Sequence, residues 1–320
     1  VTVAAVLAAG LAIYAVVAAV ALPRLLGKAS WTGRAPRLAI MVWQAACVSV
    51  VVSVLSAVFV LAVPAPVVGH GLAELFAECA EALADGPGLT AATALVGVGV
   101  TGALVARLAW CATAVLAGAR AERRRHAEAL ALLGRHDGAL DAIVVDFDER
   151  LAYCVPGRQG KAVITTAALR ELSPEETAAV LAHERAHLRG RHHLVLAFGE
   201  TFARAFPGMP LFERGRAELA RLVELLADDL AARRHPRVLI ASALVRLATG
   251  RAPAFTLGAG GESALARVRR LLAPAPPLGR GERVTGAFAV GLLLAGPAVT
   301  GLAPGLASLL AHHCLELLSF

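Results

Sequence analysis

Residues 173–193 read SPEETAAVLAHERAHLRGRHH. Ser173 suits a helix N-cap, Pro174 suits the first helical position, and Glu176 completes a capping box. Glu175 and Glu176 also oppose the positive end of the helix dipole. The spacing predicts a helix from about 174 to beyond 195. Inside it lies His183-Glu184-Arg185-Ala186-His187. Two residues four apart differ by about 40° around a helix, so both imidazoles can reach one metal ion. Glu184 lies about 100° from His183 and can reach a water beside that metal without ligating it. Two neutral imidazoles and a carboxylate suit one tetrahedral zinc ion with an open position. Glu184 is then the general base for attack of water on a peptide carbonyl.

The third ligand is sought on the next polar helix, expected over about 211–233. There Glu224-Leu225-Leu226-Ala227-Asp228 presents two carboxylates one turn apart. Glu224 is the candidate ligand. Asp228 is placed to accept a hydrogen bond from the non-ligating nitrogen of His183 and fix its ring. Asp229 is expected to face solvent. His235, just beyond, is a candidate donor to the tetrahedral oxyanion, and Tyr153 a weaker one. His192 and His193 are read as solvated polar positions near the membrane rather than a second metal site.

Around these helices the chain shows short apolar runs at Ala142–Val145, Ala152–Val155 and Ala162–Thr166, read as three strands. Residues 120–134 look helical and stop at Gly134. A further helix is expected over about 237–249. Residues 250–263 read as a loop, and 273–277 as a stiff Pro-rich connection.

The composition places this unit in a membrane. Of 320 residues, 58% are hydrophobic and 17% charged, against roughly 45–50% and about 25% in soluble domains. A disordered chain and a disulfide scaffold are excluded: the five cysteines form no close pair, and Cys79 and Cys154 read as packing residues. No charge occurs in 1–23, 38–69, 86–106, 108–119 or 284–315. Stretches of about 18 or more apolar residues can cross a bilayer core of about 30 Å. Four transmembrane helices are expected, near 1–23, 38–63, 90–117 and 286–311. Arg107, inside the third, is expected to snorkel or to face the bundle interior. The first segment reads as an uncleaved signal anchor, because it lacks a basic lead and runs into Pro23-Arg24.

The resulting division is 1–119 for three spans, 120–283 for a catalytic domain able to bury its own core, and 284–320 for the last span and a short tail. The fold class expected is an α-helical integral membrane protein carrying a mainly helical zincin-like domain with a small β-sheet. The first loop carries Arg24, Lys28, Arg34 and Arg37; the second, 67–87, is acidic; the third opens with Arg120 and Arg123–Arg125. Basic loops mark the cytoplasmic side. The protein is expected in a bacterial-type cell membrane, multi-pass, with both termini outside and the catalytic domain cytoplasmic. The net charge of +7 then reflects membrane orientation. The Arg123–Arg125 cluster suits anionic headgroups, and no nucleic-acid partner is expected.

LAHERAHLRGRHH at 181–193 with ELLAD at 224–228 resembles the BlaR/MecR-type integral membrane zinc metallopeptidases, and more distantly the HtpX and CAAX-protease-like group. The resemblance implies zinc on His183, His187 and Glu224, with Glu184 as base. It implies that Ala162, Val163, Ile164, Thr165 and Thr166 form an edge strand that pairs with an extended peptide substrate. It also implies cleavage of a protein substrate such as a cytoplasmic transcriptional repressor. Unlike the sensor-transducers, the protein is expected to carry no penicillin-binding domain or S-x-x-K serine after the last span. A signal is expected to enter through loop 67–87, the spans, or a separate sensor partner or second copy. Two other functions fit the same residues: a quality-control or CAAX-like processing protease, and a non-catalytic zinc-stabilised scaffold. The intact Glu184 favours an enzyme over the scaffold.

Overall fold

A computed structural model describes residues 3–62, 89–157, 160–248, 260–273 and 275–318. The acidic loop 67–87 with Cys79, and most of the loop expected over 250–263, lie outside the described residues. Among the described residues, four helices are long and apolar enough to cross a membrane. They are α1 (Val3–Lys28), α2 (Pro36–Ala62), α3 (Leu89–Leu133) and α10 (Arg280–Leu318). α1 and α2 run antiparallel, with Tyr14 Oη 2.8 Å from Ser49 Oγ and Ala8 and Leu11 packed against Ala57 and Val60. α3 corrects one expectation. The third span and the helix expected over 120–134 are one uninterrupted rod: no proline lies between Leu89 and Leu133, and the one glycine at the junction, Gly118, costs a helix only about 1 kcal/mol and does not break it.

After α3 the chain forms a four-stranded mixed sheet: β1 (Gly134–Asp137), β2 (Ala142–Val145), β3 (Ala152–Val155) and β4 (Lys161–Thr165). The order is β1-β2-β4-β3. β2 and β4 are parallel, the other two pairs antiparallel. β1 was not expected from the sequence. More consequential is β4. The segment Ala162–Thr166 is not an edge strand: β4 lies between β2 and β3, and Thr166 already begins α4 (Thr166–Glu171). Ala162, Val163 and Ile164 are buried. A continuous apolar run covered on both faces is the mark of an interior strand. The edge on that side is β3.

Helix α5 (Pro174–Arg189) starts as the capping box predicts. Ser173 Oγ accepts from the Glu176 amide at 3.2 Å, and Glu176 Oε2 accepts from the Ser173 amide at 2.9 Å. It does not run beyond 195. Arg191 takes a left-handed backbone, φ +48°, and a new helix, α6 (His192–Ala205), begins. α7 (Pro210–Ala231), α8 (Arg237–Ala248) and α9 (Gly260–Leu272) follow. The expected loop therefore ends at 260, where α9 begins.

Residues 120–283 do bury clusters of their own: one under the sheet, around Ile164 and Leu181, and one around Ala179, Ile240 and Leu271. The largest core, however, is shared with the spans. Leu211, Phe212, Leu219, Leu222 and Val223 of α7 pack with Ala18, Trp43, Cys47 and Val50 of α1 and α2. Small residues allow the close approach that membrane helices use. A Cβ at Gly215 would lie 3.4 Å from Cys47 Sγ, and one at Gly199 would lie 3.2 Å from Arg216 Cα. α7 is thus wedged between α6 and the membrane hairpin. Arg107 faces neither water nor lipid alone: its Nε donates to the Ala205 carbonyl at 2.6 Å, at the C-terminal end of α6.

Candidate metal centre

α5 brings His183 and His187 onto one side, and α7 crosses it carrying Glu224. The His183 and His187 Nε2 atoms are 3.1 Å apart. Glu224 places Oε2 3.4 Å from His183 Nε2 and Oε1 3.4 Å from His187 Nε2. One donor atom from each residue falls within 4.8 Å of the others. Two nitrogen lone pairs and an anionic oxygen converging on one point fit a divalent cation with borderline-soft preferences. Glu184, on the same helix, borders the same cleft of about 430 Å³.

The groups behind these donors orient them. His183 Nδ1 lies 3.0 Å from Asp228 Oδ1, as the sequence spacing anticipates. Asp228 is fully buried. His187 Nδ1 lies 2.9 Å from His192 Nδ1. His192 is buried, which corrects its reading as a solvated position. The break at Gly190-Arg191 turns the chain so that the His192 ring folds back on α5. A Cβ at Gly190 would run into that ring. Asp229 is also not simply solvent-facing; its Oδ2 accepts from Arg270 at 2.7 Å.

The residue that sequence reasoning missed is Arg267 of α9. Its Nε and Nη2 donate to both oxygens of Asp228, at 2.8 and 2.7 Å. Its Nη1 lies 2.9 Å from Glu224 Oε2. The available signal is the apolar spacing of Val268 and Leu271, which pack on Ala231 and Ile240 and aim Arg267 at the site. His235 does not line the cleft, whereas Arg267 and Tyr153 do. α7 ends at Ala231, and His235 sits in the turn after it, its amide bonded to the Ala231 carbonyl.

The electrostatics follow from burial and this charge network. Burial would lower the His183 pKa, but Asp228 and Glu224 outweigh it and hold it up at about 9. His187, desolvated and beside the other cations, falls to about 4. Glu224 and Asp228 are held down at about 2 against the effect of burial, by hydrogen bonds and the Arg267 and His183 charges. Glu184 goes the other way, up to about 7, chiefly because it is desolvated. Cys154, partly buried and facing Glu184 and Glu224, is pushed up to about 12 and stays a thiol.

The edge strand β3 forms one wall of the cleft with Ala152, Tyr153 and Cys154. The free backbone edge expected of β4 is therefore supplied by β3, next to Glu184.

Peptidase family M48 matches residues 119–287. No curated protein and no solved structure matches the chain. The family region takes in α5, α7 and α9 with the metal donors. With a two-His, one-carboxylate donor set in a cleft beside a free strand edge, on a chain with four apolar helices, this match, over more than half of the 320 residues, makes the protein a member of the metallopeptidase family M48.

Proposed function

We propose that the protein is a membrane-embedded zinc metalloendopeptidase that hydrolyses peptide bonds of protein substrates at the cytoplasmic face. The observation that carries this reading is the juxtaposition of Glu184 with the converging donors of His183, His187 and Glu224, in a cleft walled by β3. His183, His187 and Glu224 would hold the ion. When bound, zinc supplies a Lewis acid that polarises the peptide carbonyl and acidifies water.

The remaining work falls to the chain. An extended substrate pairs with the open edge of β3, which lays its backbone across Glu184. Glu184 accepts a proton from the attacking water as the new C–O bond forms. It delivers that proton to the leaving amine as the C–N bond breaks. Desolvation, which raises the Glu184 pKa, makes its carboxylate a stronger base for the first transfer. Arg267 keeps Asp228 and Glu224 ionised and aligned. Within this reading, the basic loops support the cytoplasmic orientation. The metal helices lying between the third and fourth spans support a role like that of the BlaR/MecR-type peptidases, in cleavage of a repressor.

The test is metal analysis and proteolysis of the full chain in detergent. The expected result is one zinc per chain, with cleavage of casein or a repressor substrate by the wild type. Glu184→Gln should keep its zinc and lose cleavage by at least about a hundredfold. Equal cleavage by both proteins removes Glu184 from the mechanism. A folded wild type that takes up no zinc overturns the metal reading.

A further inference from the structure

Near the end of α1, a groove of about 480 Å³ opens between α1 and α7. Arg24 and Lys28 line it from α1 and Arg214 from α7, with Trp43 of α2 behind them. None of the three cations makes an ion pair among the described residues. The one carboxylate among the described residues of the lining, Glu218, is engaged by Arg221 at 2.8 Å. Three like charges around one groove repel each other unless an anion is shared among them. Trp43 is 1% exposed, and its Nε1 has no hydrogen-bond partner among the described residues. Buried indole N–H groups usually have one. The groove is thus short of an anion, and its wall is short of an acceptor.

The surface below the groove identifies the anion. Residues 1–23 carry no charge. At 1.5 Å per residue they reach about 34 Å, so a bilayer core of about 30 Å ends close to Arg24. Back along α1, Val20, Val17 and Ile13 stand within about 40° of Arg24 around the helix. They are 40%, 56% and 64% exposed. One apolar stripe therefore leads up to Arg24, and Lys28 continues it one turn higher. α2, joined to α1 by the Tyr14–Ser49 contact, carries no charge over 38–62. On α7, Arg221 reaches Thr32 in the α1–α2 connection, so the other end of that helix is the deeper one. Residues 206–210, below Arg214, carry no charge. The ion-paired Glu200, Arg204 and Arg216 lie on the other side of α7, since Arg216 is about 200° around the helix from Arg214. Cations directly above an exposed apolar stripe match a phosphate above acyl chains. A free phosphate would have no use for the stripe.

We propose that this groove binds an anionic phospholipid of the adjoining leaflet, its phosphate shared by Arg24, Lys28 and Arg214 and an acyl chain along Val20, Val17 and Ile13. The site is distinct from the metal centre, and its occupancy does not depend on catalysis. A headgroup held there ties α1 to α7, the helix that carries Glu224 and Asp228.

The experiment uses the full chain in neutral detergent, offered phosphatidylglycerol or phosphatidylcholine, with retained lipid counted by native mass spectrometry. The wild type should retain one phosphatidylglycerol in preference to phosphatidylcholine. Each cation near a headgroup contributes about fivefold, so Arg24→Gln, Lys28→Gln and Arg214→Gln together should weaken that retention on the order of a hundredfold. Arg24→Lys with Arg214→Lys should keep most of it. Removing the same charge from the exposed Arg233, Arg234 and Arg269, each to Gln, should leave retention unchanged. If the triple groove variant does not fold, Arg214→Gln alone should give about a fivefold loss. Equal retention of the two lipids by the wild type, or retention unchanged in the groove variants, would overturn the proposal. So would an equal loss in the Arg233, Arg234 and Arg269 variant, which would assign the effect to net charge. Full displacement of the lipid by inorganic phosphate would overturn it as well, by leaving the apolar stripe without a part.

Discussion

Arg267 holds Asp228 from two directions at once, Nε on one carboxylate oxygen and Nη2 on the other, at 2.8 and 2.7 Å. The two residues are 39 apart in sequence and on different helices. Asp228 is completely buried and stands behind His183. A buried carboxylate without its partner is costly, about 3–5 kcal/mol when the partner is removed. Arg267→Ala should therefore lower the detergent melting temperature by several degrees and weaken metal binding together. Arg267→Lys should recover only part, because an ammonium cannot match both carboxylate oxygens in one plane. A thermal melt of Arg267→Ala indistinguishable from wild type would remove the clamp from the account of the site.

Metal uptake should release protons. Without metal, His183 is held up at about 9 and so carries a proton at neutral pH, while His187 at about 4 and Glu224 at about 2 are already deprotonated. Only His183 must give up a proton to become a ligand. Zinc affinity should fall about tenfold for each pH unit below 9, down to about pH 4. Below that, His187 adds a second proton. Competition against a chelator between about pH 6 and 8 measures the slope, and a flat profile would contradict it.

Gly190 should be intolerant of a side chain. Its Cβ would displace the His192 ring from His187. Loss of such outer support typically costs about 10–100-fold in metal affinity. Gly190→Ala and His192→Phe should both show that loss while the helix content measured by circular dichroism stays unchanged. Full zinc affinity in His192→Phe would mean that His187 is oriented by packing alone.

Glu176 should set part of the acid limit of stability. Burial alone would raise its pKa, but hydrogen bonds from Ser242 and the Ser173 amide, with the Arg246 charge, hold it below its ordinary value of 4.5. A carboxyl group depressed in the folded state contributes stability above its unfolded pKa. That contribution is lost as pH falls through the folded pKa. Glu176→Gln should cost about 1–2 kcal/mol at neutral pH, and the gap from wild type should narrow below about pH 4.5. Denaturant melts at both pH values check this; a gap of constant size would place the stabilisation in packing rather than charge.

Much of the site was legible because it is local. The Ser173 cap, the His183 and His187 spacing and the Glu224 and Asp228 spacing are set within one or two helical turns, and the structure keeps each of them. His192 was misread because nothing in Arg-His-His announces that Arg191 adopts a left-handed backbone and reverses the ring onto α5. Arg267 was invisible because it meets Asp228 across a long stretch of chain. β4 was placed at an edge although its unbroken Ala-Val-Ile run already fits a strand covered on both faces.

By itself the sequence determined the four apolar helices, the capped helix and the metal-ligand pattern, since each depends on hydrophobic length or helical period over a short span. Only the tertiary structure decided the rest. Which strand borders the cleft depends on strand order, which pairs β2 with β4 across the chain. Which cation compensates the buried carboxylates depends on the docking of α9. That α7 shares its core with α1 and α2 follows from side chains meeting across nearly two hundred residues, a relation that no local period encodes.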